Sequence, residues 1–330
     1  MALSSFSSGN PLADRRSEYA AMLLEAGDTA AAAELMAQAL DLAPGWAAGW
    51  FRLGEMREEA GDRDGAVEAW RTVLRLDGAD PFGATLKLGL AGAAPDMATM
   101  PPAFVEALFD QYAGDFDTAL VERLDYRAPE LLKAALAAVA GGPFRSMMDL
   151  GCGTGLMGER MRRDVSFLAG VDLSGEMLRQ ASAKGVYDLL DHADINAMPP
   201  LEGEKPDLVT AADVFMYLGD LTAAFRWVAG SLASGGLFGF TVEHHAGEGD
   251  VHLKPSRRYA HTRHHVEAQL AAFGFEILSV DAAEIRKDRG EPVEALIVIA
   301  RLAECRAAEV QTGHGQLAED LAGLTPCSIH

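Results

Sequence analysis

Apolar positions in the first part of the chain recur at the spacing of amphipathic helices, and the pattern repeats. The tetrapeptide Glu-Ala-Gly-Asp occurs at 25–28 and again at 59–62, which is 34 residues later. Ala32 of the first copy matches Ala66 of the second, and the apolar positions that follow in the first copy match apolar positions in the second. In each copy a Gly-Asp turn separates two helices, since aspartate favours helix starts. The pattern predicts an all-α repeat module over residues 13–92.

A different pattern begins near residue 144, where short apolar runs alternate with amphipathic stretches. Runs at 144–150 and 167–172 predict two buried strands, and further runs lead up to Asp194 and begin at Asp207. Strands that alternate with helices form a parallel sheet with right-handed crossovers. In such sheets the ligand binds beyond the carboxyl ends of the strands. The pattern therefore predicts an α/β domain with a site at that edge.

Residues that suit a closely bound ligand follow the first two strands. The turn after the first strand contains Gly151, Gly153 and Gly155, where no side chain covers the backbone. Asp172 ends the second strand, and its carboxylate is suited to accept both hydroxyls of a ribose. Dinucleotide enzymes and S-adenosylmethionine enzymes share this arrangement, and residues 153–158 satisfy G-x-G-x-x-G by themselves. The glycines alone leave both cofactor classes open.

Further acids favour S-adenosylmethionine. Asp149 lies two residues before the first glycine, where a carboxylate suits a zwitterionic methionine moiety better than a pyrophosphate. Asp194 follows the third strand, where it can accept a hydrogen bond from an adenine amino group, with Ile195 beside the ring. The fourth strand begins at Asp207 and runs into a turn that carries Asp213. Together these acids place carboxylates along one edge of the predicted sheet.

In this order, the motifs resemble those of class I S-adenosylmethionine-dependent methyltransferases. The resemblance covers residues 104–302 and rests on DLGCGTG, GVDLS, HADI and DLVTAADVFMYL, at 149–155, 170–174, 192–195 and 207–218. It implies a Rossmann-like α/β fold with a seven-stranded sheet in the order 3-2-1-4-5-7-6. In that fold the fifth strand lies at 235–243, and an antiparallel hairpin at the sheet edge is formed by 275–281 and 295–301.

The repeat module resembles tetratricopeptide repeats, and the whole chain resembles bacterial methyltransferases that contain such repeats and have no assigned substrate. The predicted boundaries add a disordered N-terminus at 1–12, a linker at 93–103 and a C-terminal tail at 303–330. Two repeats are fewer than an independent solenoid usually needs. The module therefore either packs on the rest of the chain or offers a groove to a protein partner.

The methyltransferase resemblance also implies which residues bind the cofactor. The glycines line its methionine part, Asp149 orders the glycine loop, and Asp172 holds the ribose. Leu173 packs on the adenine, Tyr112 folds over the cofactor, and the turn with Asp213 meets the methionine end. The implied set is Tyr112, Asp149, Gly151, Gly153, Gly155, Asp172, Leu173, Asp194, Ile195 and Asp213.

Methyl transfer from a sulfonium needs a general base only if the acceptor loses a proton during the attack. Histidine suits this role because it titrates near neutral pH, and His244 and His261 follow the fifth strand. Tyr217, after the fourth strand, is the third candidate catalytic residue. A structural role stays open for each histidine. No metal site is predicted, because the spacing of His244, His245 and His252 fits no compact ligand signature.

The densest positive patch of the chain consists of Arg257, Arg258 and Arg263. These arginines either neutralise an anionic substrate or pair with nearby acids, and the second interpretation is favoured. Residues 212–215 lack the prolines that enzymes methylating nucleobase amino groups carry at this place. The predicted acceptor is therefore a small molecule or a protein side chain.

The composition narrows the set of partners. A net charge of −21 argues against nucleic acid or an anionic membrane as the main partner, because both require a basic surface. The three cysteines, Cys152, Cys305 and Cys327, form no disulfide or metal pattern, so we expect reduced thiols and a cytoplasmic protein. Cys152, inside the glycine turn, is expected to fill space. No apolar run reaches the roughly 18 residues of a membrane span.

Three functional hypotheses follow. The leading one is S-adenosylmethionine-dependent methyl transfer, by in-line displacement, to a small molecule or a protein. The alternative is a non-catalytic methyltransferase-like protein that docks partners through its helical repeats. The third is a nicotinamide dehydrogenase that binds its cofactor through Gly153, Gly155 and Gly158.

Overall fold

The structure, a computed structural model, describes residues 7–94, 99–112, 117 and 124–304, with only the backbone of Tyr112. Most of the predicted tail, including Cys305 and Cys327, and the first half of the predicted N-terminal segment lie outside these residues. The first helix begins at Pro11, two residues before the predicted start of the repeats.

The N-terminal module consists of helices, as the repeat pattern predicts. The helices are α1 (Pro11–Glu25), α2 (Thr29–Leu42), α3 (Ala47–Glu59), α4 (Arg63–Leu76) and α5 (Ala84–Leu90). The aspartates of the two Gly-Asp turns cap the following helices: Asp28 accepts from the N–H of Ala31, and Asp62 from that of Gly65. Each repeat therefore starts its second helix with the same side-chain cap.

The rest of the described chain alternates strands and helices. The helices are α6 (Pro102–Tyr112), α7 (Ala128–Val139), α8 (Leu156–Met161), α9 (Gly175–Lys184), α10 (Thr222–Ser231) and α11 (Arg263–Ala272). The strands are β1 (Phe144–Leu150), β2 (Val165–Asp172), β3 (Leu189–His192), β4 (Leu208–Ala211), β5 (Leu237–Glu243), β6 (Val251–Leu253), β7 (Tyr259–His261), β8 (Phe275–Asp288) and β9 (Glu291–Leu302).

Seven of these strands form one sheet in the order β3-β2-β1-β4-β5-β9-β8. The first five strands are parallel, and β9 runs antiparallel to both β5 and β8. This order confirms the predicted Rossmann-like methyltransferase topology. The strand numbers differ because β6 and β7, which follow β5 along the chain, form a separate hairpin outside this sheet. An aromatic cluster on one face of the sheet consists of Phe215, Phe225, Phe238 and Phe240.

An apolar cluster joins the repeat module to the hairpin of β6 and β7. Leu86 of α5 packs with Phe104 of α6 and with Tyr259 of β7, and Met100 lies in the same cluster. The repeat module is therefore packed on the α/β part through α5. Among the described residues, no helix combines the length and the apolar character required to cross a bilayer.

Candidate functional site

A cleft of about 990 Å³ opens at the carboxyl ends of the parallel strands. The glycine turn after β1, the end of β2 and the segment after β3 line one part of it. The segment after β4, helix α6, the turn between β6 and β7 and the turn between β8 and β9 line other parts. The cleft lies where open α/β sheets bind their ligands, as the strand pattern predicts.

The three glycines of the turn adopt positive φ angles, of 61° at Gly151, 54° at Gly153 and 92° at Gly155. Residues with a side chain rarely adopt this backbone conformation, so the turn itself favours glycine at these three positions. A Cβ added at Gly151 would meet Val214 at 2.6 Å, and one at Gly155 would meet Tyr187 at 3.0 Å. A Cβ at Gly153 would meet nothing within 4 Å. The exposed main chain at Gly153 is thus the part of the turn that a ligand can approach.

Tyr187 explains the other glycines, and sequence reasoning did not single it out. A Cβ on Gly158 would come within 2.4 Å of the Tyr187 ring, and one on Gly170 within 2.8 Å. The Tyr187 hydroxyl donates to Asp149 Oδ2 at 2.7 Å. The third glycine of the G-x-G-x-x-G pattern therefore accommodates a tyrosine of the protein itself. In the sequence, the sign of this packing is a tyrosine together with glycines on two other elements, and no single motif shows it.

Asp149 is buried at the base of the cleft and ties β1 to its neighbours. Its second oxygen, Oδ1, accepts a hydrogen bond from Thr210 Oγ1 at 2.7 Å. Burial raises the pKa of Asp149 to about 6, although the hydrogen bonds from Tyr187 and Thr210 act in the opposite direction. These contacts fit the predicted role of ordering the glycine loop.

Asp172 lies at the end of β2 and lines the cleft. Its Oδ2 accepts from the N–H of Gly153 and its Oδ1 from the N–H of Ser174, each at 2.8 Å. Burial raises the pKa of Asp172, while the hydrogen bonds from Ser174 and Gly153 lower it. Each carboxylate oxygen can accept a further bond. The two oxygens are thus fixed in place and still able to accept from a ligand.

Three other predicted residues, Leu173, Asp194 and Ile195, line the same part of the cleft. Asn196 lines it too, and its shielded Oδ1 lacks a hydrogen-bond partner among the described residues. A buried acceptor without a partner is costly, so this amide oxygen suits a ligand N–H. Sequence reasoning missed Asn196, because its position after a predicted strand gave no hint of an unpaired oxygen.

Asp213 also lines the cleft, but a buried arginine from β8 already engages its carboxylate. Arg286 Nε donates to Asp213 Oδ2 at 2.9 Å, and Arg286 Nη2 donates to Glu243 Oε1 at 2.5 Å. Burial lowers the pKa of Arg286, but the nearby charges of Asp213 and Glu243 raise it by more, so the net shift is upward. Arg286 was not predicted, because its partners lie on β5 and on the turn after β4.

The structure places two of the three candidate catalytic residues away from the cleft lining. His261 is fully buried in β7, its Nε2 lies 2.9 Å from the Leu218 carbonyl oxygen, and burial lowers its pKa to about 4. His244 Nδ1 lies 2.7 Å from Glu294 Oε1. Neither histidine is among the described residues that line the cleft, so a role as general base stays a prediction for both.

Tyr217 does line the cleft, and its ring meets Phe109 of α6 edge-to-face at 5.4 Å between centroids. Burial raises the pKa of Tyr217, so its hydroxyl stays protonated. Tyr112 is the last residue of α6, and its predicted contact with the cofactor lies outside what the structure describes.

Cys152 lines the cleft, but burial raises the pKa of its thiol, which therefore stays protonated. Its Sγ would lie 3.0 Å from a Cβ on Gly170, in accord with a space-filling role. Within the described parts of the chain, no group of three or more His, Cys, Asp or Glu residues is arranged to hold a metal ion.

The predicted arginine patch divides into two parts. Arg257 and Arg258 line the cleft, whereas Arg263 pairs with Glu267 on α11 outside that lining, with Nε and Oε1 2.6 Å apart. Arg258 Nη1 donates to Asp288 Oδ2 at 2.7 Å. The favoured interpretation, pairing with nearby acids, describes Arg263 fully and Arg258 in part.

Comparison with known proteins finds relatives of the α/β part of the chain. Residues 148–240 match the family model described as a methyltransferase domain. Methyltransferase-like protein 27 of Homo sapiens is 37% identical over 94 residues, which are 28% of this chain and 38% of that protein. The solved structure of an S-adenosylmethionine-dependent methyltransferase from Mesorhizobium loti has a TM-score of 0.41 and 26% identity, covering 52% of this chain and 96% of its own.

A separate relative matches at partial coverage. The TPR repeat-containing protein PA0015 of Pseudomonas aeruginosa is 45% identical over 51 residues, which are 16% of this chain and 49% of that protein. The chain thus spans less than half the length of either curated relative described here.

Proposed function

We propose that the methyltransferase domain of this chain transfers the methyl group of S-adenosylmethionine to a small-molecule or protein acceptor. The observation that carries the proposal is the exposed main chain at Gly153 beside the fixed carboxylate of Asp172. The match of residues 148–240 to a methyltransferase domain supports the choice of this cofactor over a dinucleotide.

The residues of the cleft fit the proposed cofactor. Asp172 would hold the ribose, with one free acceptor site on each oxygen for a sugar hydroxyl. Asp194 and the unpaired Oδ1 of Asn196 would accept from the adenine amino group, with Ile195 beside the ring. Gly153 would meet the methionine part through its main chain. Asp213, which Arg286 holds in place, would lie beside the methionine part of the cofactor.

When bound, S-adenosylmethionine supplies a methyl group activated by its positive sulfur. The chain's own residues then have to align the acceptor and exclude water, which lowers the barrier without any covalent step on the protein. Phe109 and Tyr217 provide an apolar wall for this purpose on the α6 side of the cleft. The protonated hydroxyl of Tyr217 can donate a hydrogen bond to the acceptor.

Methyl transfer to the contents of a cell extract tests the proposal. The protein would be incubated with S-adenosylmethionine labelled in its methyl group and an extract of cells that lack the protein. We expect label in a macromolecule or small molecule with wild-type protein, and much less with Asp172→Ala. Binding of S-adenosylhomocysteine without any transferred label would instead favour the non-catalytic interaction protein.

A further inference from the structure

The cleft has a second end, away from Asp172 and Asp194, that is rich in guanidinium groups. Four arginines line it in a chain whose net charge is −21: Arg257, Arg258, Arg286 and Arg289. The acids lining the same end are Asp213, Asp288 and Glu291. Four guanidinium groups and three carboxylates thus line this end of the cleft, in a chain that is acidic as a whole.

The charges behind this end balance one another. Glu243, 2% exposed, contacts Arg286 Nη2 at 2.5 Å, Lys254 Nζ at 2.9 Å and Arg258 Nη1 at 3.8 Å. Asp213 neutralises Arg286, and Asp288 neutralises Arg258. Three cations therefore face three anions, and the network fixes the side chains without consuming all their donors.

Arg258 keeps donors free for a ligand. Its ion pairs with Asp288 and Glu243 both use Nη1. Its Nε and Nη2 carry three further N–H donors, which have no partner among the residues that the structure describes. The Tyr217 hydroxyl likewise lacks a described hydrogen-bond partner, and it stays protonated because burial raises its pKa. An anchored guanidinium edge and a phenol donor together suit a planar anion.

Among the residues that the structure describes, none at this end of the cleft is placed to act as a general base. The described lining contains no histidine, since His244 and His261 lie elsewhere. Asp213 and Asp288 are held by arginines, and Glu291 lies at the exposed rim. An acceptor that must lose a proton during the attack would find no base here to take it, whereas an ionised carboxylate needs no base.

We propose that the methyl acceptor is a carboxylate, bound at the Nε and Nη2 edge of Arg258 and by the Tyr217 hydroxyl. The inference rests on the proposed methyl transfer. One carboxylate oxygen forms a bond to the methyl carbon while the bond from that carbon to sulfur breaks, and its electron pair stays on sulfur. The products are a methyl ester and S-adenosylhomocysteine. The negative carboxylate and the positive sulfonium both become neutral, and no proton is released.

The alkali stability of the transferred label tests this inference. The 330-residue chain would be incubated with S-adenosylmethionine carrying a tritiated methyl group and with an extract of cells that lack the protein. Mild alkali hydrolyses methyl esters and releases labelled methanol, which is volatile, but leaves methyl groups on nitrogen, carbon, phenols and ordinary alcohols in place. We expect most of the transferred label to become volatile.

Arginine variants connect the label to the site. Arg258→Gln should lower the transferred label by about tenfold or more, as expected when charge-assisted hydrogen bonds are lost. Its affinity for S-adenosylhomocysteine should match that of wild type, which also shows that it folds. Arg263→Gln, outside the cleft lining, is the matched control and should change neither quantity. Arg258→Lys keeps a charge near Asp288 and should recover only part of the transfer.

The outcomes separate this inference from the proposed function. Alkali-stable label would overturn the carboxylate acceptor. Alkali-labile label that Arg258→Gln leaves unchanged would overturn the binding of that carboxylate at Arg258. In both cases methyl transfer itself stands. Absence of transferred label with wild-type protein would overturn the proposed function, and the carboxylate acceptor with it.

Discussion

Gly153 and Gly158 lie five residues apart, yet they are glycines for different physical reasons. At Gly153 an added Cβ would enter open space in the cleft, whereas at Gly158 it would strike the ring of Tyr187. We assign the open space at Gly153 to a ligand, whereas the ring of Tyr187 fills the space beside Gly158. This difference leads to opposite expectations for the same substitution.

Gly153→Ala should weaken binding of S-adenosylhomocysteine strongly, because the new methyl group occupies the path to the main chain. Its cost in stability should be limited to about 1–2 kcal/mol, the penalty of a left-handed alanine. Gly158→Ala is the matched control, and it should lower the melting temperature with a smaller effect on binding. Calorimetric titration and thermal unfolding measure the two effects. Equal binding losses in both variants would contradict the assignment of Gly153 to the ligand.

Asp172 supplies the second residue-scale prediction. Asp172→Ala should weaken S-adenosylhomocysteine by about 1–3 kcal/mol, because ribose hydroxyls lose their acceptor. Asp191→Ala removes an exposed carboxylate from the neighbouring strand and serves as the control. Isothermal titration of both variants checks the placement, which fails if the two bind alike.

Asp149 predicts how stability depends on pH. Its folded pKa of about 6 lies above the reference value of 3.8, so its stabilising contribution is complete below pH 3.8 and is lost as the pH rises through 6. Asp149→Asn removes this loss. From about pH 5 to about pH 7.5, the variant should therefore gain about 1–2 kcal/mol relative to wild type.

Urea unfolding of both proteins at several pH values measures this gain. Asp188→Asn is the control, because the hydrogen bond from Arg162 lowers the pKa of Asp188 and keeps it ionised over that range. Its difference from wild type should stay constant. If the difference in unfolding free energy between Asp149→Asn and wild type does not grow with pH, the pKa of Asp149 is not raised in the folded protein.

At the scale of elements, the hairpin of β6 and β7 connects the repeats to the acceptor end of the cleft. The hairpin carries Arg258 in its turn, and Tyr259 at the start of β7 packs with Leu86 of α5. Arg257 lies over the ring of Phe104, with its Cζ 4.9 Å from the centroid. The repeat module therefore helps to hold the segment that we assign to the acceptor.

Leu86→Ala tests this link between α5 and the hairpin. It should destabilise the protein by about 2–5 kcal/mol, because Leu86 is buried and its removal leaves a cavity. Methyl transfer should fall while S-adenosylhomocysteine affinity stays near that of wild type. Leu76→Ala, at a position that is 43% exposed, is the control. A parallel loss of cofactor affinity would mean that Leu86 supports the whole domain rather than the hairpin.

Local patterns predicted most elements, because their spacing is set within single strands and helices. The apolar run before Gly151 gave β1, and the repeated Gly-Asp turns gave the starts of α2 and α4. The resemblance supplied the strand order. The β6–β7 hairpin was not predicted, since each of its strands has only three residues and periodicity needs longer runs.

The cofactor half of the cleft followed from sequence better than the acceptor half. Asp172 and Gly153 lie in motifs next to strands, so their placement depends on local order along the chain. Tyr187, Asn196 and Arg286 act through contacts with residues that are distant in sequence. His261 resembled a base by residue type, and only the packing of β7 shows that it is buried.

For the molecule as a whole, a strongly acidic chain surrounds one cleft that contains both carboxylates and guanidinium groups. The carboxylates of Asp172 and Asp194 lie at one end and the arginines at the other. This division fits the proposed placement of the cofactor's ribose and adenine at the carboxylate end and of a negatively charged acceptor at the arginine end. The helical repeats pack against the arginine end through α5.

The central claim is that the main chain at Gly153 and the carboxylate of Asp172 bind an adenosyl sulfonium. Isothermal titration of the wild-type protein with S-adenosylhomocysteine, and separately with NADH, tests it most directly. We predict saturable heat with S-adenosylhomocysteine and none with NADH. No heat with S-adenosylhomocysteine, or saturable heat with NADH alone, would contradict the account.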